Sequence, residues 1–399
     1  MTVRPAPAVP DLLSPEFAVD PHPTYAAMRR HGPAWWDEAT ACWYVVGYDE
    51  VDTLLRDPRL SARIGAGFLG AGAEAAADVL EFFGAWPMFS DPPEHTAVRR
   101  QVGSGHRPAA VRPLGERIAS TVRRLLAACE PHDADLLRDV VQPLATSVTC
   151  DLLGIPGGRR EELLAWSSDI IAFIGVPVLD PERAPRARAA IGRLDAYLQA
   201  ERERAGDGIS TTPQLAGLLS LPAAEGRAMF AQILTGGIEP VVGCIGATLP
   251  HLVADGRAVA EDVASGRVRP EAVTEEALRF AAPFHFVPRS VVSPVEVAGE
   301  RLEPGQRVAL VVAAAHRDPR RFVDPDRFRL LAGESTDPRH LAFGAGHHFC
   351  LGAPLARMTI TESVRALADW VVERDVRTIE AVREPAFGHT VWRRIGWGF

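Results

Sequence analysis

From Met229 to Val253 the chain carries a single acidic or basic charge, that of Glu239. A stretch so apolar has to leave water, either by crossing a bilayer or by lying at the centre of a large core. Gln232, Glu239 and Pro240 fall inside it. An acid and a helix breaker at mid-span are costly in lipid, whereas neighbouring helices can satisfy both. The stretch therefore reads as a long buried helix, with no membrane association expected.

The surroundings supply a core large enough for such a helix. Of 399 residues, 47% are hydrophobic, and nearly everything between about 92 and 283 has helical periodicity. That pattern breaks at Leu153-Gly154-Ile155-Pro156, at Val176-Pro177 and at 206–213, where Gly, Ser, Thr and Pro collect. Strand-like runs lie elsewhere, at Trp43 to Tyr48, Ser290 to Val297 and Arg307 to Val312. Short helices are expected around Tyr25 to His31 and Asp49 to Arg56, and a last one over about 352–372. Residues 61–86, with Phe82, Phe83 and Trp86, read as an apolar loop of the kind that covers pockets. No linker is long enough to separate domains. The expectation is one unit over 1–399, mainly α with a minor β lobe: an N-terminal arm to about residue 20, a helical bulk at 92–283, a β-rich segment at 284–312 and a cysteine loop at 340–352.

Charge and cysteine usage exclude several functions. A net charge of −8 argues against general nucleic-acid binding. All 43 basic residues are arginine, the better partner for forked contacts to carboxylates. No apolar leader opens the chain, so a cytoplasmic protein is expected. Cys42, Cys129, Cys150, Cys244 and Cys350 are odd in number and scattered, which suggests neither a disulfide framework nor a zinc site.

Cys350 has a distinctive setting, Phe343-Gly344-Ala345-Gly346-His347-His348-Phe349-Cys350-Leu351-Gly352, directly before a helical pattern. Glycines let a backbone approach a flat ligand. Backbone N–H groups and a helix N-terminus converging on the sulfur would keep it as thiolate, the form that ligates metals. A lone cysteine near a chain end is otherwise a small buried hydrophobe. Here the ten residues match, at every specified position, the F-G-x-G-x-H-x-C-x-G haem-binding loop of the cytochrome P-450 superfamily.

Further segments resemble the same superfamily in its own order, over essentially the whole chain. Asp91-Pro92-Pro93-Glu94-His95-Thr96-Ala97-Val98-Arg99-Arg100 resembles its D-P-P-E-H-T-x-x-R-R helix entry, with His95 and Arg99 on one helix face. Glu276-Ala277-Leu278-Arg279 matches E-x-x-R, which alone is an ordinary helix-surface pair. Pro283-Phe284-His285-Phe286-Val287-Pro288-Arg289, His316-Arg317-Asp318-Pro319 and Phe322-Val323-Asp324-Pro325-Asp326-Arg327-Phe328 are similar to the segments that follow it, with His316 where Asn is usual.

The resemblance implies the cytochrome P-450 fold and a buried haem b, with Cys350 as iron ligand and Phe343, Gly344 and Gly352 shaping its loop. It implies that His95, Arg99, Arg289 and His348 hold the haem propionates. Glu276 and Arg279 would be structural, joined by an arginine from the meander between Phe328 and Arg339. It further implies an oxidoreductase that activates dioxygen with electrons from a ferredoxin and ferredoxin reductase, oxidising a small, largely apolar or aromatic molecule in secondary metabolism. Arg100, His106, Arg107, Arg112, Arg339 and His340 would form the basic docking patch. Met88, Phe89, Ile233, Gly236, Phe284, His285, Val287 and Val391 would line the substrate pocket, together with the segment Ile170 to Val178. His285 would be either a polar anchor or a satisfied loop histidine.

One segment departs from the superfamily. Its distal helix carries A-G-x-[DE]-T-[TS], where acid and alcohol manage proton delivery during dioxygen activation; the corresponding residues are Gly236-Gly237-Ile238-Glu239-Pro240-Val241. Glu239 supplies the acid, but Pro240 replaces the alcohol, and a bent or opened helix is expected there. The departure leaves two outcomes open: ordinary monooxygenation with another proton donor, or oxidative coupling, cyclisation, desaturation or a peroxide-driven reaction. A haem-binding protein without turnover is a further alternative. A hydrolase using Cys350 is weak, because the loop matches no hydrolase elbow.

Overall fold

A computed structural model describes residues 11–12, 14–63, 76–130, 135–174, 182–206, 211–330 and 339–399. The arm to residue 10, the first half of the apolar loop, the Val176-Pro177 break and the meander at 331–338 lie outside the described residues.

Helices α1 (Glu94–Val102), α2 (Gly115–Ala127), α3 (Gln142–Leu153), α4 (Arg160–Ile174) and α5 (Arg183–Gly206) lead to the central helix α6 (Ala223–Ala264). Helices α7 (Pro270–Ala281) and α8 (Ala353–Glu373) follow. Their ends follow local chemistry. Helix α3 stops at Gly154, whose φ of 71° is left-handed, and α7 starts with Pro270 in its first turn, where a missing N–H costs nothing. Helix α6 packs on α3, α7 and α8, and Phe230, Leu234, Ile238, Ile245, Leu249 and Leu252 are buried along it. The apolar run is thus a core helix.

The helix expected to be bent or opened at Pro240 is not opened there. Backbone angles stay helical past it, and the non-helical residues are Ala254, Asp255, Gly256 and Arg257. Proline's fixed φ suits a helix, and Gly236 and Gly237 put no side chains beside its ring, so the loss is confined to one rung of the hydrogen-bond ladder. Pro240 cannot donate to the Gly236 carbonyl.

The β lobe is a five-stranded sheet in the order β1-β2-β7-β4-β3, formed by β1 (Ala34–Asp37), β2 (Cys42–Val45), β3 (Leu60–Ser61), β4 (Val287–Val291) and β7 (Arg307–Leu310). Only β2 and β7 run parallel; the other neighbours are antiparallel. Strands β5 (Val295–Val297) and β6 (Glu300–Leu302) form a hairpin, as do β8 (Thr378–Glu384) and β9 (Val391–Gly398). The second hairpin was not legible in the sequence. Its Trp392 Nε1 donates to the Gly243 carbonyl of α6 at 3.0 Å, and a Cβ on Gly246 would collide with that indole. Within 61–86, residues Ala77–Gly84 form a helix with Phe82 and Phe83 buried, so the part described is not a loop.

Helix α7 ties both lobes to the cysteine loop. Arg279 donates to both Glu276 oxygens at 2.7 Å and to the carbonyls of His316, Pro325 and Arg327 at 2.8–2.9 Å. The third partner is therefore main chain, not the expected meander arginine; Glu276 also accepts from the Arg329 backbone N–H. His316 is buried between the ends of this network. Its Nδ1 donates to the Arg279 carbonyl at 2.8 Å, and its Nε2 accepts from the Leu341 N–H at 2.6 Å, which fixes a neutral ring.

A stability prediction follows from two such rings. Burial holds His316 far below its usual range, with His340 and Arg279 adding to the effect, and burial likewise lowers His285 to about 3. Between about pH 6.5 and 4 the unfolded chain binds protons that the folded chain excludes. Stability is complete above that window and falls as pH falls through it, by up to about 1.4 kcal/mol per pH unit for each ring. Urea unfolding at pH 7 and pH 5 is expected to show a clearly lower midpoint at pH 5; an unchanged midpoint contradicts this.

Candidate active site

A cavity of about 950 Å³ lies between α6 and the cysteine loop, floored by α8 and closed on one side by the sheet. Its floor is built by backbone geometry. Gly344 and Gly346 both have φ of 67°, and a Cβ on Gly346 would lie 3.1 Å from the Leu55 carbonyl oxygen, so glycine is needed for both the turn and the approach. The Cys350 N–H donates to the Phe343 carbonyl at 2.8 Å, folding the loop back on itself. Cys350 alone among the five cysteines is exposed, and it is exposed to this cavity. Phe343 and Gly352 are in the same wall, and the Arg357 guanidinium sits 4.5 Å from the Phe343 ring centre.

The expected thiolate is not produced by the polypeptide alone. Burial raises the Cys350 thiol above its usual value, and the Gly352 and Ala353 N–H groups with Arg99 and Arg357 offset this only in part. A coordinated metal cation is what would remove the proton.

The residues expected to hold carboxylates converge at one edge of the cavity. The His95 and His348 rings lie with centres 4.2 Å apart, tilted by 40°, and Arg289 and Arg99 reach the same wall. Arg289 is 4% exposed, and burial lowers it to about 10 with Asp91 acting the other way. Burial lowers His348 to about 3, with Arg289 and His95 adding to it, and lowers His95 too. The His95 Nδ1 is buried with no hydrogen-bond partner among the described residues. A buried guanidinium, two neutral imidazoles and an orphaned ring nitrogen make a cradle whose chemistry suits an anion. The donor set fits a haem: a soft sulfur on the floor and a carboxylate-seeking edge. Arg99 has a second task, since it donates to the His347 and Phe349 carbonyls and thereby braces the cysteine loop from α1.

The cavity wall includes Met88, Phe89, Ile233, Gly236, Phe284 and Val287. His285 and Val391 are outside it. The His285 ring turns away, its Nε2 3.2 Å from Thr390 Oγ1, and it is 3% exposed; the satisfied loop histidine is the reading that holds. In its place the turn before β9 offers Phe387 and His389. Of the 170–178 segment, Ile171 and Phe173 reach the cavity, and residues from 175 on lie outside the described residues. Pro240 is in the wall, but Glu239 is not; Glu239 is half-buried, makes no hydrogen bond among the described residues, and burial raises its carboxyl.

Four residues outside the motifs are important here. Glu275 accepts from His340 at 3.0 Å and from Arg357 at 2.6 Å, linking α7, the loop and α8. Burial pushes Glu275 up, but those two hydrogen bonds outweigh it and leave it at about 2. Gln232 accepts from the Met88 N–H at 3.0 Å, while His389 and Thr149 stand in the wall. No local sequence signal marks these residues: the partners of Glu275 and Gln232 are distant in the chain, and the fold alone brings His389 and Thr149 to the cavity. The expected basic patch narrows: Arg100, Arg107 and Arg112 are exposed, Arg339 pairs with Asp52 at 3.3 Å, and His106 and His340 are buried.

Residues 270–364 match the sequence model of the family described as Cytochrome P450. The chain is 32% identical over 385 residues to cytochrome P450 monooxygenase PikC of Streptomyces venezuelae, covering 91% of this chain and 87% of that protein. It is 33% identical over 383 residues to 6-deoxyerythronolide B hydroxylase of Saccharopolyspora erythraea, covering 90% of each. Its backbone is similar to that of P450BioI, solved with an acyl carrier protein bearing hexadec-9Z-enoic acid, with a TM-score of 0.87 over 97% of this chain and all of that one; at 23% identity this likeness concerns the fold.

Proposed function

The chain belongs to the cytochrome P450 family and is a haem-dependent monooxygenase of that family, and from that premise we propose how its own residues serve the reaction. Cys350 is the thiolate ligand of haem b, and His95, Arg99, Arg289 and His348 hold its propionates. The haem supplies dioxygen activation, with thiolate donation favouring O–O cleavage. The single observation that carries this reading is the joint placing, in one cavity, of the one exposed cysteine and the uncompensated basic cradle.

The polypeptide does the rest by binding, orienting and excluding water. Phe89, Phe173, Phe284 and Phe387 make the wall aromatic, which suits a small, largely apolar or aromatic substrate. Gln232 and His389 are the polar groups available to orient it, the latter as a neutral ring because burial lowers it. Electrons come from a ferredoxin and its reductase through the face bearing Arg100, Arg107 and Arg112, which is basic on an otherwise acidic protein. On this reading the work belongs to secondary metabolism in the cytoplasm.

Simple oxygen insertion is the outcome favoured, since both named relatives are a monooxygenase and a hydroxylase. Pro240 is the observation that favours coupling, cyclisation or desaturation instead. Turnover of a library of apolar aromatics with NADPH and a plant-type ferredoxin, compared between the native chain and Pro240→Thr, separates the two. Oxygen insertion predicts products one oxygen heavier and the same from both proteins. Products without added oxygen from the native chain, replaced by hydroxylated ones in Pro240→Thr, contradict it.

A further inference from the structure

Pro240 removes a hydroxyl from α6, and the neighbouring helix α3 presents one, that of Thr149, in the wall of the same cavity. Five hydroxyl residues stand in the cavity wall: Thr40, Tyr44, Thr149, Thr235 and Thr359. Thr40 donates to Asp37, Tyr44 to Thr40, Thr235 to the Ala231 carbonyl and Thr359 to the Leu355 carbonyl. Thr149 is 2% exposed, yet its hydroxyl makes no hydrogen bond among the described residues. Its neighbour Thr146 shows the usual alternative, bonding the carbonyl one turn back at 2.8 Å.

The place of this hydroxyl is defined by α6. A Cβ on Gly237 would lie 2.6 Å from Thr149 Oγ1, so the hydroxyl rests on the glycine backbone three residues before Pro240. The adjacent Gly236 carbonyl has lost its donor to Pro240, and a Cβ on Gly236 would meet nothing within 4 Å, so there is open space beside it. A free hydroxyl against Gly237, a freed carbonyl on the residue before it and open space beside Gly236 are what a bound water requires.

We propose that Thr149 supplies from α3 the alcohol that Pro240 takes out of α6, holding a water against the Gly236 carbonyl and relaying protons to dioxygen during turnover; this rests on the monooxygenase reading. The relay is neutral overall. The water gives a proton inward while the Thr149 hydroxyl and the Gly236 carbonyl hold it in place, and solvent returns that proton. Thr149 is therefore a positioning residue, acting through the water it orients.

The test uses the haem-loaded protein with NADPH, a plant-type ferredoxin and its reductase, with no substrate added. Incomplete proton delivery yields hydrogen peroxide from O2, one NADPH and one proton; complete delivery yields two waters from O2, two NADPH and two protons. Thr149→Val is expected to cut the water-forming flux about tenfold and drive peroxide per NADPH toward one. Thr149→Ser should stay near the native ratio, and Gly237→Ala, which displaces the hydroxyl, should behave like Thr149→Val. Because the hydroxyl has no protein partner, valine breaks no internal bond, and an unfolding midpoint close to native checks that the fold persists. Crystals of the native protein should show a water between Gly236 and Thr149 that Thr149→Val lacks. Equal peroxide ratios for Val and Ser, or no water in the native crystal, overturn the proposal. If the native protein consumes no NADPH without substrate, the crystal water alone decides the place of Thr149, and its absence from the native protein overturns the proposal.

Discussion

Replacing Cys350 with serine is expected to lower substrate oxidation by more than about 100-fold, beyond the loss that removing a supporting residue around a metal causes. Of the two cysteines in the cavity wall, Cys42 is buried and Cys350 is exposed, and the Cys350 loop is shaped by left-handed glycines that serine does not disturb. The fold should therefore survive, and urea unfolding should stay near native while activity is lost. Haem is expected to bind more weakly and to lose the spectral signature of thiolate ligation. A Cys350→Ser protein that retains native turnover would remove the sulfur from the mechanism.

Arg279→Ala is expected to have the largest effect on stability, about 3–5 kcal/mol, because it breaks a buried pair and strands the other partner. The Arg279 side chain is 7% exposed and that of Glu276 11%. Without the guanidinium, the Glu276 carboxylate keeps only the Arg329 backbone N–H, the carbonyls of His316 and Arg327 lose their donor, and that of Pro325 is left with Arg317. Those carbonyls belong to the segments leading into the cysteine loop, so haem retention should fall along with stability. Urea titration with tryptophan fluorescence reads the first effect, and gel filtration of haem with protein reads the second. A loss below about 1 kcal/mol would mean the pair behaves like a solvated surface contact.

What the sequence disclosed and what it hid differ in a physical way. The cysteine loop, the helix entry at His95 and Arg99, and Glu276 with Arg279 were legible because each carries its chemistry in a few adjacent residues. The apolar run from Met229 to Val253 was legible as a core helix because Glu239 and Pro240 interrupt it. Thr149 was not, since its significance lies in touching Gly237 on another helix, a contact with no trace in local pattern. Glu275 was overlooked beside Glu276 for the same reason: His340 and Arg357 are far along the chain. The hairpin of β8 and β9 escaped because exposed arginines and glycines interrupt its alternation. His285 was half-read: the residue was singled out, but the direction of its ring depends on Thr390, and the cavity received His389 instead. The opening anticipated at Pro240 rested on proline's missing N–H and on Gly236 and Gly237 before it, whereas the backbone angles stay helical to Val253.

The central claim is that Cys350 ligates haem iron as a thiolate. The absorption spectrum of the purified, reduced, CO-bound protein tests it most directly. The account predicts the long-wavelength Soret band characteristic of a thiolate-ligated haem, lost in Cys350→Ser. A Soret band of the histidine-ligated type in the native protein would contradict it.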